Sequence, residues 1–291
     1  MTIYHLNRTA GSVARILFPD ATLIQAKPRT DTAESVLAAV PKGETEFLYH
    51  FGVTYTIRWP AFRSKLTAAL RKKGIRVYNT HANDLSRKTL QAHLAAAGLP
   101  TLTAKRSGPP AEVLLVRPNF NYSGISEAKF HKRYPEIFVR YPKTVTDFRF
   151  VPRSEIPAHF WNDEDVQIEK FVSNPEDKIY RVWMWGNRAI AAKFINPARI
   201  KKGDGVTAHW RCRGDTKNEE MRPVIEYGKK VFKQMKYDFG ALDVLADANG
   251  KFYACDMNST PWYGPFWKTF QQVDGEVLRD PLCYLRDGVD A

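Results

Sequence analysis

Over residues 1 to about 80, short apolar runs alternate with amphipathic stretches. Ala21–Ile24 and Phe47–Phe51 are followed by a helical pattern from Arg63 to Lys73 and by Ile75–Tyr78. Strands interleaved with helices predict a small α/β unit with a parallel sheet. The unit closes at Asn79-Thr80, and Asn83, Asp84 or Ser86 can then cap a helix from about Leu85 to Ala97. Leu85, Leu90 and Leu94 give that helix an approximate apolar stripe, and Gly98 followed by Pro100 stops it. From about residue 112 the pattern turns β-rich, with runs at Val113–Val116, Ile137–Arg140, Val166–Val172, Tyr180–Trp185 and Ala189–Phe194. A long helix is expected from about Glu219 to Met235, with Met221, Ile225, Val231 and Met235 loosely on one side. Two alternating arms then flank the turn Ala248-Asn249-Gly250 and predict a β-hairpin ending near Asn258. Pro281–Arg286 reads as a short closing helix.

Composition narrows the class. A chain of 291 residues has room for two or three compact units with ample core. Hydrophobic content of 44% is ordinary for a globular protein. No run approaches the roughly 18 apolar residues needed to span a bilayer, and the first residues lack the apolar stretch of a signal peptide. Cys212, Cys255 and Cys283 have no metal-ligand spacing, so a reduced, cytoplasmic protein is expected. The 44 Lys+Arg against 31 Asp+Glu give a formal charge of +13. Such an excess favours anionic partners. The basic residues are dispersed, with clusters at 71–73, 129–133 and 199–202. A solvated face is the first reading of that dispersal, and nucleic acid is the less favoured partner.

The hairpin carries the chemistry. Asp256 and Asn258 are two residues apart and share a face of a strand, and Asp243 on the other arm can face the same way. Oxygen ligands converging on an apolar sheet suit Mg²⁺, which is held by one or two carboxylates plus nucleotide phosphates. By spacing alone, a hairpin with one wet face explains the pattern equally well.

The string Asp256-Met257-Asn258-Ser259-Thr260-Pro261, with Asp243 about a dozen residues earlier, resembles the metal-binding end of the ATP-grasp superfamily. Asp256 stands where Glu is usual and is one methylene shorter. Ile168-Glu169-Lys170-Phe171-Val172 is similar to the family's adenine hinge, whose main chain bonds the base at a strand end. The resemblance then makes Asp177, or failing it Glu176, the ribose ligand. Without the resemblance the stretch reads as an edge strand leaving a sheet. Lys88, ahead of Gly98-Leu99-Pro100, resembles the first phosphate-binding lysine, although an isolated helical Lys is otherwise a solvated residue. Arg117 in Val116-Arg117-Pro118 stands where many relatives carry Lys, and it keeps the charge while changing the geometry. Residues 119–124 fall where the family has a glycine-rich flap over the phosphates, yet only Gly124 is glycine. Arg181 matches a strand-borne arginine beyond the hinge, and Lys193 follows on the return strand. Arg211 and Arg213 match a basic loop facing the transferred phosphoryl group, and they would share a face if extended.

The matches run in order over about residues 78 to 264. They imply a mixed α/β (α+β) ATP-grasp fold: a small N-terminal α/β domain over 1–80 and an ATP-grasp domain over 81–291. Within the latter, a β-rich lid over about 105–172 precedes a metal-binding sheet over about 173–291. The resemblance is nearest to carboxylate–amine ligases of the ribosomal-protein-glutamate-ligase type. It implies ATP, Mg²⁺ with Mn²⁺ as an alternative, and small-molecule or peptide carboxylate and amine substrates, acidic ones included. Asp243, Asp256 and Asn258 would hold the metal. Lys88, Arg117 and Arg181 would neutralise phosphates, and Arg211 or Arg213 would stabilise an acyl phosphate. Two rivals stay open. One is a kinase acting on a non-carboxylate acceptor, and the other is a basic module that binds an anionic polymer with a degenerate nucleotide site. Trp262–Trp267 lines an acceptor pocket or packs a core.

Overall fold

A computed structural model describes residues 1–6, 18–51, 60–81, 84–135, 149–174, 176–195, 207–213 and 219–258. For Pro60, Tyr122, Ser123 and 207–213 it describes the backbone alone. The run expected at Ile137–Arg140, the aromatic cluster 262–267 and the helix expected at 281–286 lie outside these residues.

The N-terminal pattern folds as its alternation predicts. Strands β1 (Thr2–His5), β2 (Thr22–Gln25), β3 (Glu46–His50) and β4 (Arg76–Tyr78) form a parallel sheet in the order β2-β1-β3-β4. Helices α1 (Ala33–Ala39) and α2 (Pro60–Lys72) cover one face. Thr32 caps α1 through a reciprocal pair with Ser35, which satisfies two backbone donors at the helix start. Tyr4, Phe47 and Tyr49 point into that helical side with Leu66 and Leu70. Ile3 and Leu48 point the other way, onto Trp183, Trp185 and Phe239 of a second sheet. A parallel sheet buried on both faces needs apolar residues at successive positions, and all of β1 is buried.

That second sheet is antiparallel, in the order β10-β9-β8-β11-β12. Its strands are β8 (Lys178–Trp185), β9 (Arg188–Ile195), β10 (Thr207–Arg213), β11 (Phe239–Ala246) and β12 (Phe252–Asn258). Its far face packs against α5 (Met221–Met235) and α3 (Arg87–Ala96) through Val182, Leu242, Val244, Val231, Leu90 and Leu94. The expected hairpin is therefore present, but β11 has no wet face over Phe239–Val244, because both sides are covered.

A third sheet, in the order β6-β5-β7, joins β5 (Val113–Pro118), β6 (Arg149–Pro152) and β7 (Val166–Lys170). Leu114, Val116, Ile156, Val166 and Ile168 form its core. Helix α4 (Ile125–Arg133) follows β5 after a short 3₁₀ turn at Asn121–Gly124.

β12 is a sheet edge, and an edge exposes unpaired backbone groups. Side chains take them here: the carbonyls of Ala254, Cys255 and Met257 accept from Gln91, Arg117 and Asn121 at 2.8, 2.6 and 3.0 Å. Those bonds tie α3 and the end of β5 to the edge of the second sheet.

Candidate functional site

A crevice of about 540 Å³, its open mouth included, lies between the third sheet and the antiparallel sheet. Leu102, Leu115 and Phe150 form one apolar wall, with Ile179 and Leu245 opposite. The main chain of Glu169–Val172 passes along it as β7 ends, and Asp177 sits at its rim. The Lys170 amide donates to the Leu102 carbonyl at 2.7 Å, whereas Phe171 and Val172 lie beyond the last strand residue. An apolar slot with main chain along one side suits a flat heteroaromatic base. Asp177 adopts a left-handed φ of 51° in a turn closed by its amide to the Asn174 carbonyl, 3.1 Å. Glu169, Lys170, Phe171, Val172 and Asp177 are thus brought together along one crevice. Glu176 pairs instead with Lys178 and does not line the crevice.

Beyond this end of the slot lies a cluster of charge, tied to the lining residue Glu169 through Arg117. Register places Asp243 opposite both Arg181 of β8 and Asp256 of β12. Arg181 grips Asp243 with two bonds, Nε to Oδ1 at 2.7 Å and Nη2 to Oδ2 at 3.0 Å. Asn258 shares the face of Asp256, and its Oδ1 accepts from Asn121 Nδ2 at 3.0 Å. Gly240 lets the strands close up, since a Cβ there would lie 2.6 Å from the Asn258 carbonyl. Asp256 Oδ2 accepts from Arg87 at 3.0 Å, while its Oδ1 is buried with no hydrogen-bond partner. A buried carboxylate oxygen without a donor is costly unless a cation meets it. Asp256 therefore fits a divalent cation, with the carbonyl oxygen of Asn258 keeping a second lone pair for it. Among the described residues no three His, Cys, Asp or Glu side chains gather into a cage. A cation here would draw its remaining ligands from phosphate and water, as Mg²⁺ does.

Three expectations are corrected. Lys88 does not face this end: its Nζ donates to the Asp163 carbonyl at 2.6 Å. Arg87, one residue earlier, turns inward. Its Nη1 donates to the carbonyls of Pro118 and Phe120 at 2.7 and 2.8 Å, and its Nη2 to Asn121 and Asp256. Helical geometry is the reason, because Arg87 shares the stripe of Leu90 and Leu94 at spacings of three and seven. That spacing was the signal available in the sequence, and the charge at its head hid it.

Arg117 is not an open phosphate cation. Its Nη2 lies 2.8 and 2.7 Å from the two oxygens of Glu169 and 2.6 Å from the Cys255 carbonyl. Burial acts to lower its pKa, but the Glu169 carboxylate and Cys255 outweigh that and hold it above the ordinary arginine value. Burial does lower that of Arg87, with Asp256 opposing. Residues 119–124 are not a glycine-rich flap either. Asn119, Phe120 and Asn121 are buried. Asn119 accepts from the Lys88 amide and donates to the Glu164 carbonyl, at 2.9 Å each.

Lys193 pairs with Glu220 at 2.8 Å. Arg211 and Arg213 lie opposite Ala192 and Ile190 along β9, two apart and on one face, and their side chains are outside the described residues. Among the described residues, no helix is long and apolar enough to cross a membrane.

No family model matches the chain. Solved structures do resemble it. The ATP-grasp ligase PsnB complexed with a minimal precursor, Mg and ADP superposes with a TM-score of 0.53 at 12% identity, covering 92% of each chain. PsnB with the precursor peptide PsnA2 and AMPPNP gives 0.52 at 11%, again over 92% of each. A RimK-domain ATP-grasp protein from Sphaerobacter thermophilus gives 0.51 at 12%, covering 94% of this chain and 96% of that one. The chain has the ATP-grasp fold.

Proposed function

We propose that this protein is an ATP- and Mg²⁺-dependent carboxylate–amine ligase that forms an amide bond and releases ADP and phosphate. The observation that carries the reading is an apolar slot tied to an acid with an unmet oxygen. Glu169, which lines the slot with Lys170–Val172 and Asp177, is joined through Arg117 to the Cys255 carbonyl beside Asp256, whose Oδ1 is buried and has no hydrogen-bond partner among the described residues. The base would lie against the main chain of 170–172, and Asp177 would accept from the ribose hydroxyls. Asp256 and Asn258 would hold Mg²⁺, which would supply neutralisation of the charge that moves during transfer.

The chain's own residues supply position and charge, which dominate phosphoryl transfer. Asp256 and Asn258 would set the cation and so fix the phosphate tail. Asp243 would hold Arg181 at the same face, where its guanidinium can meet developing negative charge. The substrate carboxylate would attack the γ-phosphorus as ADP leaves. An amine would then attack the acyl carbon and expel phosphate. Arg211 and Arg213, sharing one face of β10, would stabilise that acyl phosphate. The positive excess of the chain favours acidic substrates. Because the PsnB structure is complexed with a precursor peptide, a peptide carboxylate is the first class to test.

The test is ADP release across carboxylate and amine libraries, with hydroxylamine as a trap. A hydroxamate formed from acid, ATP and hydroxylamine supports the ligase. ADP release with a stable phosphorylated acceptor and no hydroxamate would replace it with the kinase.

A further inference from the structure

Each of the two candidate metal ligands on β12 already has one oxygen occupied by a side chain from elsewhere. Arg87 donates to Asp256 Oδ2, and Asn121 donates to Asn258 Oδ1. Arg87 also donates to Asn121, so the two act as one latch, anchored by the carbonyls of Pro118 and Phe120. Among the described residues the charges around it balance. Arg87, Arg117 and Arg181 stand against Asp256, Glu169 and Asp243, three positive and three negative. A divalent cation arriving alone would add two charges to a buried cluster that is already neutral, and unbalanced buried charge is strongly disfavoured. A polyphosphate brings the missing negative charge with it.

We infer that Arg87 is an internal counter-cation for Asp256, so that a divalent cation enters this cluster only together with a nucleotide polyphosphate. Arg87 is then a positioning residue that acts through Asp256. The inference rests on the nucleotide reading above for its second half only, since the guarding of Asp256 is a property of the chain itself.

Mn²⁺ binding, followed by electron paramagnetic resonance without nucleotide, tests it on the full chain. The variants are Arg87→Gln, which removes the charge but keeps an amide donor for the anchoring carbonyls, and Arg87→Lys, which keeps the charge. Wild type and Arg87→Lys should bind Mn²⁺ weakly. Arg87→Gln should bind it at least about tenfold more tightly, since removing one unit charge a few ångströms away exceeds that even at a high effective dielectric constant. Tight Mn²⁺ binding by wild type alone, or equal tightening in both variants, overturns the inference.

Should Arg87→Gln fail to fold, the guanidinium ¹⁵N resonance of Arg87 in the wild type decides. It should stay in place with Mg²⁺ alone and shift with Mg²⁺ and ADP. A shift with Mg²⁺ alone, or none under either condition, overturns the inference. Tightening of Mn²⁺ in Arg87→Gln beside a wild type that binds no ADP would leave the counter-cation standing and remove the nucleotide reading instead.

Discussion

The slot and the neighbouring charge cluster solve different problems. At the slot, which we call the base end, Leu102, Leu115, Ile179 and Leu245 leave an apolar space bordered by Glu169–Val172, Asn174 and Asp177. In the cluster, the carboxylate end, Asp243 and Asp256 are each matched by an arginine, and Arg117 matches Glu169 where the two regions meet, with every pair within 3.0 Å. The base end is preformed, and the carboxylate end is self-neutralised. A substitution at the first should change affinity with little effect on stability. At the second it should change both, because removing one partner of a buried ion pair leaves the other uncompensated.

The largest effect should come from Asp256. Asp256→Asn keeps an acceptor for Arg87 but removes the anionic ligand, so Mg²⁺-dependent ADP release should fall at least about a hundredfold with the fold kept. Asp256→Ala should lose the same activity and, in addition, about 3 kcal/mol of stability, because Arg87 stays buried without its carboxylate. Urea unfolding beside an ADP-release assay separates the two. Near-wild-type turnover in both variants would remove Asp256 from the metal site.

Arg117 joins the two regions, reaching Glu169 at the slot and the Cys255 carbonyl on β12. Arg117→Ala should cost about 3 kcal/mol in urea unfolding and weaken nucleotide binding as well. Arg117→Lys should recover only part, since its ammonium is strongly hydrated and sits on a differently shaped side chain, so it does not reproduce the position from which Nη2 meets both acceptors. Wild-type stability in Arg117→Ala would show that the strut carries no load and would restore the simpler view of Arg117 as a phosphate contact.

How much of this was legible in the sequence follows the same division. The facing of Asp243, Asp256 and Asn258 is a local property of two strands and a turn, and period-two counting recovered it. The strand end at Lys170 was legible because an apolar run followed by polar residues is also local. The arginine partners were not. Glu169 and the Cys255 carbonyl lie 52 and 138 residues from Arg117, and no periodicity connects them. Arg87 was within reach of helical counting, yet a charged residue heading an apolar stripe is read as lying outside it. Residues 119–124 were misread because a flap was sought where glycines should be. The asparagines at 119 and 121 instead bond the backbone and β12, and they bury the segment.

A smaller effect is expected at the slot wall. Ile179→Ala removes apolar area from the side facing Leu102 and Leu115, and ADP affinity should drop about tenfold. Mn²⁺ binding without nucleotide should not change, and neither should the urea midpoint beyond a modest shift. A large loss of stability would show that Ile179 is core rather than wall, and the contrast between the two ends would weaken.

The smallest effect, and the sharpest test of the base end, lies at Asp177. Its left-handed backbone is one that Asn also tolerates. Asp177→Asn therefore changes the charge at the rim without straining the turn from Asn174 to Lys178. If Asp177 accepts from the ribose, the variant should bind ADP several-fold more weakly, the scale of about 1 kcal/mol, because the amide oxygen still accepts but without the charge. Wild type should lose at least that factor when 2′-deoxy-ADP replaces ADP. The two losses should not add: Asp177→Asn should separate ADP from 2′-deoxy-ADP by less than wild type does, because both changes act on one contact. Additive losses would place the ribose elsewhere. The main chain of 170–172 would then be left as the slot's polar contact with the nucleoside, and the base end would rest on shape alone.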